Sequence, residues 1–384
     1  MNLTDVAERT KAFVAAYLLA NPVDNGTPAP GIAEARRYQR ALHDAGLAGL
    51  TWEITDGGAG LPAEAERVFN IATAGVPLPA AGLTLGLKVC GPAIRAFGTT
   101  AQRQRHLPAT LRGEQVWCQL WSEPEAGSDL AGVRTTATPT PTGGWTVRGQ
   151  KIWTSGAHHA DFGMALCRTA TGATPKHQGL SMFIVDMHQP DVEIRPLRQM
   201  TGDTEFNEVF LDEIEVPAGH LLGALGQGWP ITTWMMSRER VSVGLGMRVR
   251  QTLGWDDLVA MAKTSNRHAE PAVRHRIAEI YLKRRAAELL GARLAQEADL
   301  GIGSPPRASA LKVAEAAVIR DAAEFAIELL GNAATVWPPD DPEQARAADA
   351  VLMSPAFAIG GGTDDIQLNT LAERVLNLPH DGAS

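Results

Sequence analysis

Trp117-Cys118-Gln119-Leu120-Trp121-Ser122-Glu123-Pro124-Glu125-Ala126-Gly127-Ser128-Asp129 opens as an extended apolar run and closes in a turn holding Gly127, Ser128 and Asp129. It marks a change of pattern. From about Glu114 to Leu222, short β-favouring runs follow one another between turn residues: Trp145–Val147, Phe162–Cys167, Leu180–Val185 and Val209–Leu211. This predicts an antiparallel β domain. On its N-terminal side, Ala7–Leu19 and Ala33–Ala45 carry Ala and Leu at helical spacing, broken by Pro/Gly clusters at 22–31 and 55–62. On its C-terminal side, past Gly226-Gln227-Gly228, helical spacing returns over Trp229–Lys263, Ala272–Leu300, Ala308–Leu330 and Asp364–Leu376. The expected architecture is α+β and multidomain: a helical N-terminal domain (1–112), a middle β-barrel domain (113–222) and a C-terminal four-helix bundle (223–384). A ligand would sit at the domain junction.

Composition narrows the function. The 384 residues are 45% hydrophobic and 20% charged, which excludes wholesale disorder. No apolar run approaches the roughly 20 residues that span a bilayer. Lys and Arg total 35 against 43 Asp and Glu, a net charge of −8 with no polybasic stretch, so neither nucleic acid nor a membrane is an expected partner. Cys90, Cys118 and Cys167 are odd in number and lack the close pairing of a metal knuckle, so they read as reduced, buried thiols of a cytosolic protein. Met1–Val6 lacks the basic and apolar regions of a secretory signal, and a cytoplasmic location is the expectation.

Four segments have the residue types for chemistry. Backbone N–H groups and hydroxyls in the Gly127-Ser128-Asp129 turn suit a phosphate or a polar ring edge, though the same residues also make an ordinary loop. Gln150-Lys151-Ile152-Trp153-Thr154-Ser155-Gly156 sets an aromatic beside two hydroxyls, so a flat cofactor can stack on Trp153 while Thr154 and Ser155 bond its edge. A core tryptophan with local hydrogen bonds is the competing reading. His158 and His159 follow directly, but neighbours on a strand face opposite ways, and no metal site is expected. Ile359-Gly360-Gly361-Gly362-Thr363-Asp364-Asp365-Ile366-Gln367 runs a glycine turn into a helix with Thr363 as its N-cap. It has neither the flanking strand of a dinucleotide fingerprint nor the Lys of a Walker loop. Glu239, in the apolar run from Trp234 to Leu245, is either a desolvated general base with a raised pKa or a solvated partner of Arg238 or Arg240.

Taken in order, Ser122-Glu123-Pro124-Glu125-Ala126-Gly127-Ser128-Asp129, Lys151-Ile152-Trp153-Thr154-Ser155-Gly156, Pro217 with Gly226 and Gly228-Trp229, and Gly362-Thr363 with Ile366-Gln367 resemble the acyl-CoA dehydrogenase family over about residues 30–379. The resemblance implies the acyl-CoA dehydrogenase fold and an FAD cofactor whose ring lies between the β domain and the C-terminal bundle. Flavin contacts would come from Gln119, Trp121, Ser122, Gly127, Ser128, Trp153, Thr154, Ser155, Thr363 and Asp365, with Ser128 and Arg240 along the acyl-CoA channel. It implies α,β-dehydrogenation of an acyl thioester, carried by CoA or a carrier protein: a carboxylate takes the α-proton, the β-hydrogen leaves as hydride to flavin N5, and a backbone N–H at Gly361 polarises the carbonyl.

Many members of the family carry the catalytic Glu where this chain has Gly361; the isovaleryl-CoA and long-chain branches place it on the long helix before an Arg, which is Glu239-Arg240 here. The missing carboxylate and the available one are complementary, and Glu239 is the expected base. The family's Arg-x-x-Phe-Gly segment, which reaches a neighbouring subunit's FAD pyrophosphate, is replaced by Lys263–Pro271, and Glu328–Asn332 lacks the usual Gln and glycine pair. Lys176–Ser181, Met200–Asp203 and Phe206–Phe210 resemble an actinobacterial group that includes heteromeric dehydrogenases of steroid side-chain breakdown. By the same resemblance the acceptor is an electron-transfer flavoprotein and the assembly a homo- or hetero-oligomer, a dimer of dimers. Two alternatives stay open: a partner subunit with an incomplete flavin site, and a flavin monooxygenase or oxidase on the same fold.

Overall fold

The N-terminal helices begin where side chains cap them. In the computed structural model, which describes residues 2–21, 31–76, 78–170, 175–246, 252–300, 302, 305–336 and 341–379, Asn2 and Asp5 form a capping box at the start of α1 (Leu3–Ala20). Then come α2 (Ile32–Asp44), α3 (Ala63–Thr73), and a π-helical turn, Gly86–Cys90, leading into α4 (Gly91–Phe97). In α5 (Thr100–Leu111), Gln102 closes a capping box with Thr99 and also donates to the carbonyls of Gly219 and Leu221, at 2.8 and 2.9 Å. One side chain thus starts the helix and fastens it to the sheet beneath.

That sheet has β1 (Trp117–Leu120), β2 (Thr136–Pro139), β3 (Trp145–Ser155), β4 (Phe162–Arg168), β5 (Leu180–Asp186), β6 (Val192–Pro196), β7 (Phe206–Val216) and β8 (Leu221–Leu222). Its order is β6-β7-β3-β2-β4-β5-β8, with β1 beside β4. The expectation of a purely antiparallel domain needs correction: β1 runs parallel to β4, in register from Trp117 opposite Phe162, and β2 also meets β4 in parallel. The β2–β3 pair lies between β1 and β4 in the chain, so the backbone re-enters beside β1 in the same direction, as a crossover does. Residues 162–167 of β4 and 180–185 of β5 are all buried, whereas burial alternates along most of β7. One core cluster includes Cys118, Leu120, Val147, Cys167, Phe183, Val209 and Ile214. All three cysteines are buried, and none of them forms a disulfide.

The chain forms two compact units: Met1–Arg198 with Thr204–Met235, and Gln199–Asp203 with Met236–Ser384. The boundary falls inside α6 (Gly228–Gly246). The second unit continues with α7 (Trp255–Thr264), α8 (Pro271–Asp299), α9 (Ala308–Leu330), α10 (Pro342–Ile359) and α11 (Asp364–Arg374). Its core joins Val318, Ala322, Ala323, Phe325 and Ala326 of α9 to Leu258 and Met261 of α7, Ile280 of α8, and Ala347 and Ala350 of α10. Small alanines on α9 allow this close approach.

Helical spacing from Trp229 to Lys263 does not form one helix. Gly254 is extended and heads α7, its N–H donating to Asp257 at 2.7 Å. Sequence periodicity also passed over α10, whose start is set by the Asp341 carboxylate accepting from the N–H groups of Glu343 and Gln344, with Pro342 in the first turn. Among the described residues no helix is long and apolar enough to cross a membrane.

Candidate active site

The first group of expected site residues surrounds a buried ion pair. Lys151 of β3 is fully buried, and its Nζ donates to the Trp121 carbonyl (3.1 Å), Glu123 Oε1 (2.8 Å) and the Leu166 carbonyl (2.8 Å). Three donors meet three acceptors. The Glu123 carboxylate also accepts from the N–H groups of Arg134 and Thr135, at 2.6 and 2.9 Å. Burial alone would raise the Glu123 carboxyl, but Lys151 and the bonds from Thr135 and Arg134 outweigh it and hold the group below its ordinary value. Burial likewise lowers the Lys151 ammonium, and Glu123 opposes that fall by its charge and its hydrogen bond. One residue on, the Ile152 N–H donates to the Ser122 carbonyl at 2.9 Å, so the end of β1 is clamped to β3 at consecutive positions.

Around this clamp lie polar atoms without partners. Among the described residues, Gln119 Nε2, Trp121 Nε1 and Thr154 Oγ1 are buried and make no hydrogen bond. Native interiors rarely leave such atoms unmatched, so two N–H donors and a hydroxyl here point to an additional molecule. Trp153 is left-handed (φ 59°) at a register shift of β3 against β7, and it is 59% exposed, with its ring edge-on to Phe206. A tryptophan in this conformation is strained. Asn207 steadies the strand end by donating to the Thr154 carbonyl at 2.9 Å. Ser122 and Ser155 are half-buried; Gly127 and Ser128 are exposed, and a Cβ on Gly127 would meet nothing within 4 Å. The neighbouring Asp129 is paired with Lys176 at 2.6 Å.

In the second unit the glycine turn is held from below. Gly361 and Gly362 have φ of +72° and +91°, which glycine adopts without cost. Gln367, fully buried, donates to the Gly361 carbonyl at 2.8 Å and more distantly to that of Gly362, while its Oε1 has no partner among the described residues. Thr363 caps α11 by accepting from the Ile366 N–H, and Asp365 is exposed in the first turn. Lys312 of α9, 5% exposed, donates to the Ala358 carbonyl (3.1 Å) and to Asp364 Oδ1 (2.7 Å), fixing both sides of the turn. Beside Gly361 there is open space. Glu239 and Arg240 lie in α6, and their side chains are outside the described residues.

The two histidines behave differently from the strand reading. They sit in a short helical turn, Ala157–His159, with ring centroids 4.0 Å apart, because Gly156 turns the chain left-handed before them. His158 Nδ1 pairs with Asn207 Oδ1 at 2.9 Å. Among the described residues no cluster of His, Cys, Asp and Glu is arranged to hold a metal.

Family models for the acyl-CoA dehydrogenase N-terminal, middle and C-terminal domains match residues 4–114, 118–214 and 226–376. The chain belongs to the acyl-CoA dehydrogenase family. It is 37% identical to the acyl-CoA dehydrogenase FadE34 of Mycobacterium tuberculosis over 89% of its own length, and it spans 46% of that relative's. It is 35% identical to the acyl-CoA dehydrogenase IpdE1 of Mycolicibacterium smegmatis, covering 91% of this chain and 89% of the relative. Of solved structures, the Tcur3481-Tcur3483 steroid ACAD superposes with a TM-score of 0.83 at 25% identity, over 99% of this chain and all of that one (100%).

Sequence reasoning gave no role to Lys151, Glu123, Lys312 or Gln367, although Lys151, Glu123 and Gln367 lie inside the quoted motifs. A signal existed for one of them. Counting by two along β3 puts Lys151 on the face of Val147, which is fully buried, so an inward lysine there demands a carboxylate.

Proposed function

We propose that this acyl-CoA dehydrogenase uses FAD to convert an acyl thioester to its trans-2-enoyl thioester, with Glu239 as the base. The observation that carries this reading is the coincidence of the unpartnered buried atoms of Gln119, Trp121 and Thr154 with residues that the family pattern assigns to flavin contact. Two N–H donors and a hydroxyl suit the oxygen and nitrogen acceptors of a flavin ring edge. Residues of this chain fit the cofactor.

FAD, when bound, accepts the β-hydrogen as a hydride. Glu239 takes the α-proton, an abstraction that a positioned carboxylate accelerates when its pKa is raised by an apolar helix face. The Gly361 N–H donates to the thioester carbonyl, stabilising the enolate charge that develops as the proton leaves. Lys312 and Gln367 hold that turn, so little reorganisation is needed. Trp153, with Ser122 and Ser155, presents a face and hydroxyls to the cofactor; Gly127 leaves room for it; Thr363 and Asp365 contact it from the head of α11. Ser128 and Arg240 line the path of the CoA or carrier-protein arm. An electron-transfer flavoprotein takes the electrons onward in the cytoplasm. A steroid side-chain thioester heads the substrate classes to be screened, because a solved structure similar over nearly the whole chain is that of a steroid ACAD.

A second reading, in which a partner subunit completes the flavin site, draws on Arg267. It is the arginine of the Lys263–Pro271 segment, and it is engaged within its own unit, donating to the Glu270 carboxylate (3.1 Å) and to the Glu328 carbonyl (2.8 Å). The visible spectrum of the chain purified alone tests both. A flavin band near one per chain is expected; a folded chain that takes up no FAD overturns the primary reading, and uptake only after a second subunit is added establishes the other.

A further inference from the structure

We propose that Lys151 and Glu123 are positioning residues for the cofactor edge, setting the orientation of Gln119, Trp121 and Thr154; this rests on the FAD reading above. A buried ion pair is a poor stabiliser, since an apolar pair of similar volume usually does as well or better. Its presence at the centre of the sheet therefore calls for a role besides stability. Geometry supplies one.

The Lys151 ammonium joins β3 to two other segments, the stretch after β1 through the Trp121 carbonyl and the Glu123 side chain, and β4 through the Leu166 carbonyl. Glu123 in turn holds the N–H groups of Arg134 and Thr135, where the chain enters β2. The orphaned polar atoms of Gln119, Trp121 and Thr154 each belong to a residue within three positions of Trp121 or Lys151. Trp121 gives its carbonyl to Lys151, Gln119 lies two residues earlier on β1, and Thr154 follows Lys151 across the register shift that contains Trp153. Fixing the Trp121 peptide plane fixes the direction in which its Cβ leaves the backbone, and so the base from which the indole is aimed. The register shift between Lys151 and Thr154 leaves both residues buried, which strict alternation would not. The pair thus aims binding atoms and contacts neither substrate nor cofactor itself.

Lys151→Met alone leaves the Glu123 charge buried and unpaired, and the protein is then expected to lose stability broadly. The informative variant is Lys151→Met combined with Glu123→Gln, which removes both charges and keeps the volume. Two readouts apply to it: FAD affinity by fluorescence titration, and, in apo-protein labelled with ¹⁵N at the tryptophan indoles, the Trp121 Nε1 resonance, assigned with Trp121→Phe. The double variant is expected to melt close to the wild-type apo-protein, to bind FAD at least about tenfold more weakly, and to shift or broaden the Trp121 resonance while that of Trp52, a buried tryptophan between α2 and α3, stays in place. A merely structural pair would move the melting temperature and leave these two alone. Unchanged affinity together with an unchanged Trp121 resonance overturns the proposal. If the wild-type chain itself binds no FAD, the flavin reading fails, and the indole resonance still decides whether the pair orients Trp121.

Discussion

Lys312→Met removes a side chain that ties the end of α10 to the start of α11. It deletes a hydrogen bond to the Ala358 carbonyl, one of the last carbonyls of α10, and an ion pair of 2.7 Å with Asp364. Both bonds are donated by the charged ammonium, and a hydrogen bond to a charged group contributes about 1.5–3 kcal/mol. Asp364 is 26% exposed, so water recovers part of the loss. The net cost is about 2–4 kcal/mol, a fall in melting temperature of about 5–10 °C for a unit of this size. Because the Gly361 turn loses one of its two anchors, kcat falls about 10- to 100-fold, less than the ~10²–10³ that follows outright deletion of a carbonyl-stabilising donor. Urea unfolding and steady-state turnover on the same preparations measure both effects, with Lys312→Met/Asp364→Asn recovering part of the stability but little of kcat. A single variant that loses under about 1 kcal/mol and turns over like wild type refutes the reasoning.

Three further outcomes are expected. Glu239→Gln retains fold and flavin but loses dehydrogenation by about 10²–10⁴-fold or more, and wild-type-like turnover moves the base elsewhere. His106, buried against Trp117 and Phe162, has its pKa pushed down to about 4 by burial. Between pH 6.5 and about 4 the unfolded chain then holds a proton that the folded one refuses, so stability falls as pH drops through this window and is unaffected by His106 above it. Urea titrations around pH 5 will show close to one proton fewer taken up on unfolding in His106→Asn, and an unchanged pH slope contradicts the assignment. Trp153→Gly relieves the left-handed strain, so apo-protein stability stays within about 1 kcal/mol of wild type, while FAD titration shows affinity falling by about tenfold; a variant that binds FAD as wild type removes Trp153 from the site.

Much of the fold was legible because the period of the sequence changes with the structure. The runs at 162–167 and 180–185 are strands of the sheet, and Ala308–Leu330 is a helix with the predicted ends. Parallel pairing of β1 with β4 was not legible, since register and direction depend on contacts between distant segments that local alternation does not encode. The break before α7 escaped notice because Gly254 interrupts a pattern that is helical on both sides of it. For the site, Thr363 as N-cap followed from residue type and order alone. The Lys151–Glu123 pair did not: alternation with Val147 marks Lys151 as facing inward, but its carboxylate partner is set by packing between segments distant in the chain. Gln367 is a similar case: its spacing from Gly361 was visible, but the bond between them depends on the left-handed turn.

The central claim is that this chain oxidises an acyl thioester between its α and β carbons with Glu239 as base. Anaerobic mixing of the FAD-loaded protein with a panel of acyl-CoA thioesters, steroid side-chain thioesters included, tests it most directly. The account predicts bleaching of the visible flavin band by at least one thioester, with an equal amount of trans-2-enoyl product, and no bleaching with Glu239→Gln. A loaded protein whose flavin stays oxidised with every thioester but turns over oxygen with an amine would contradict it.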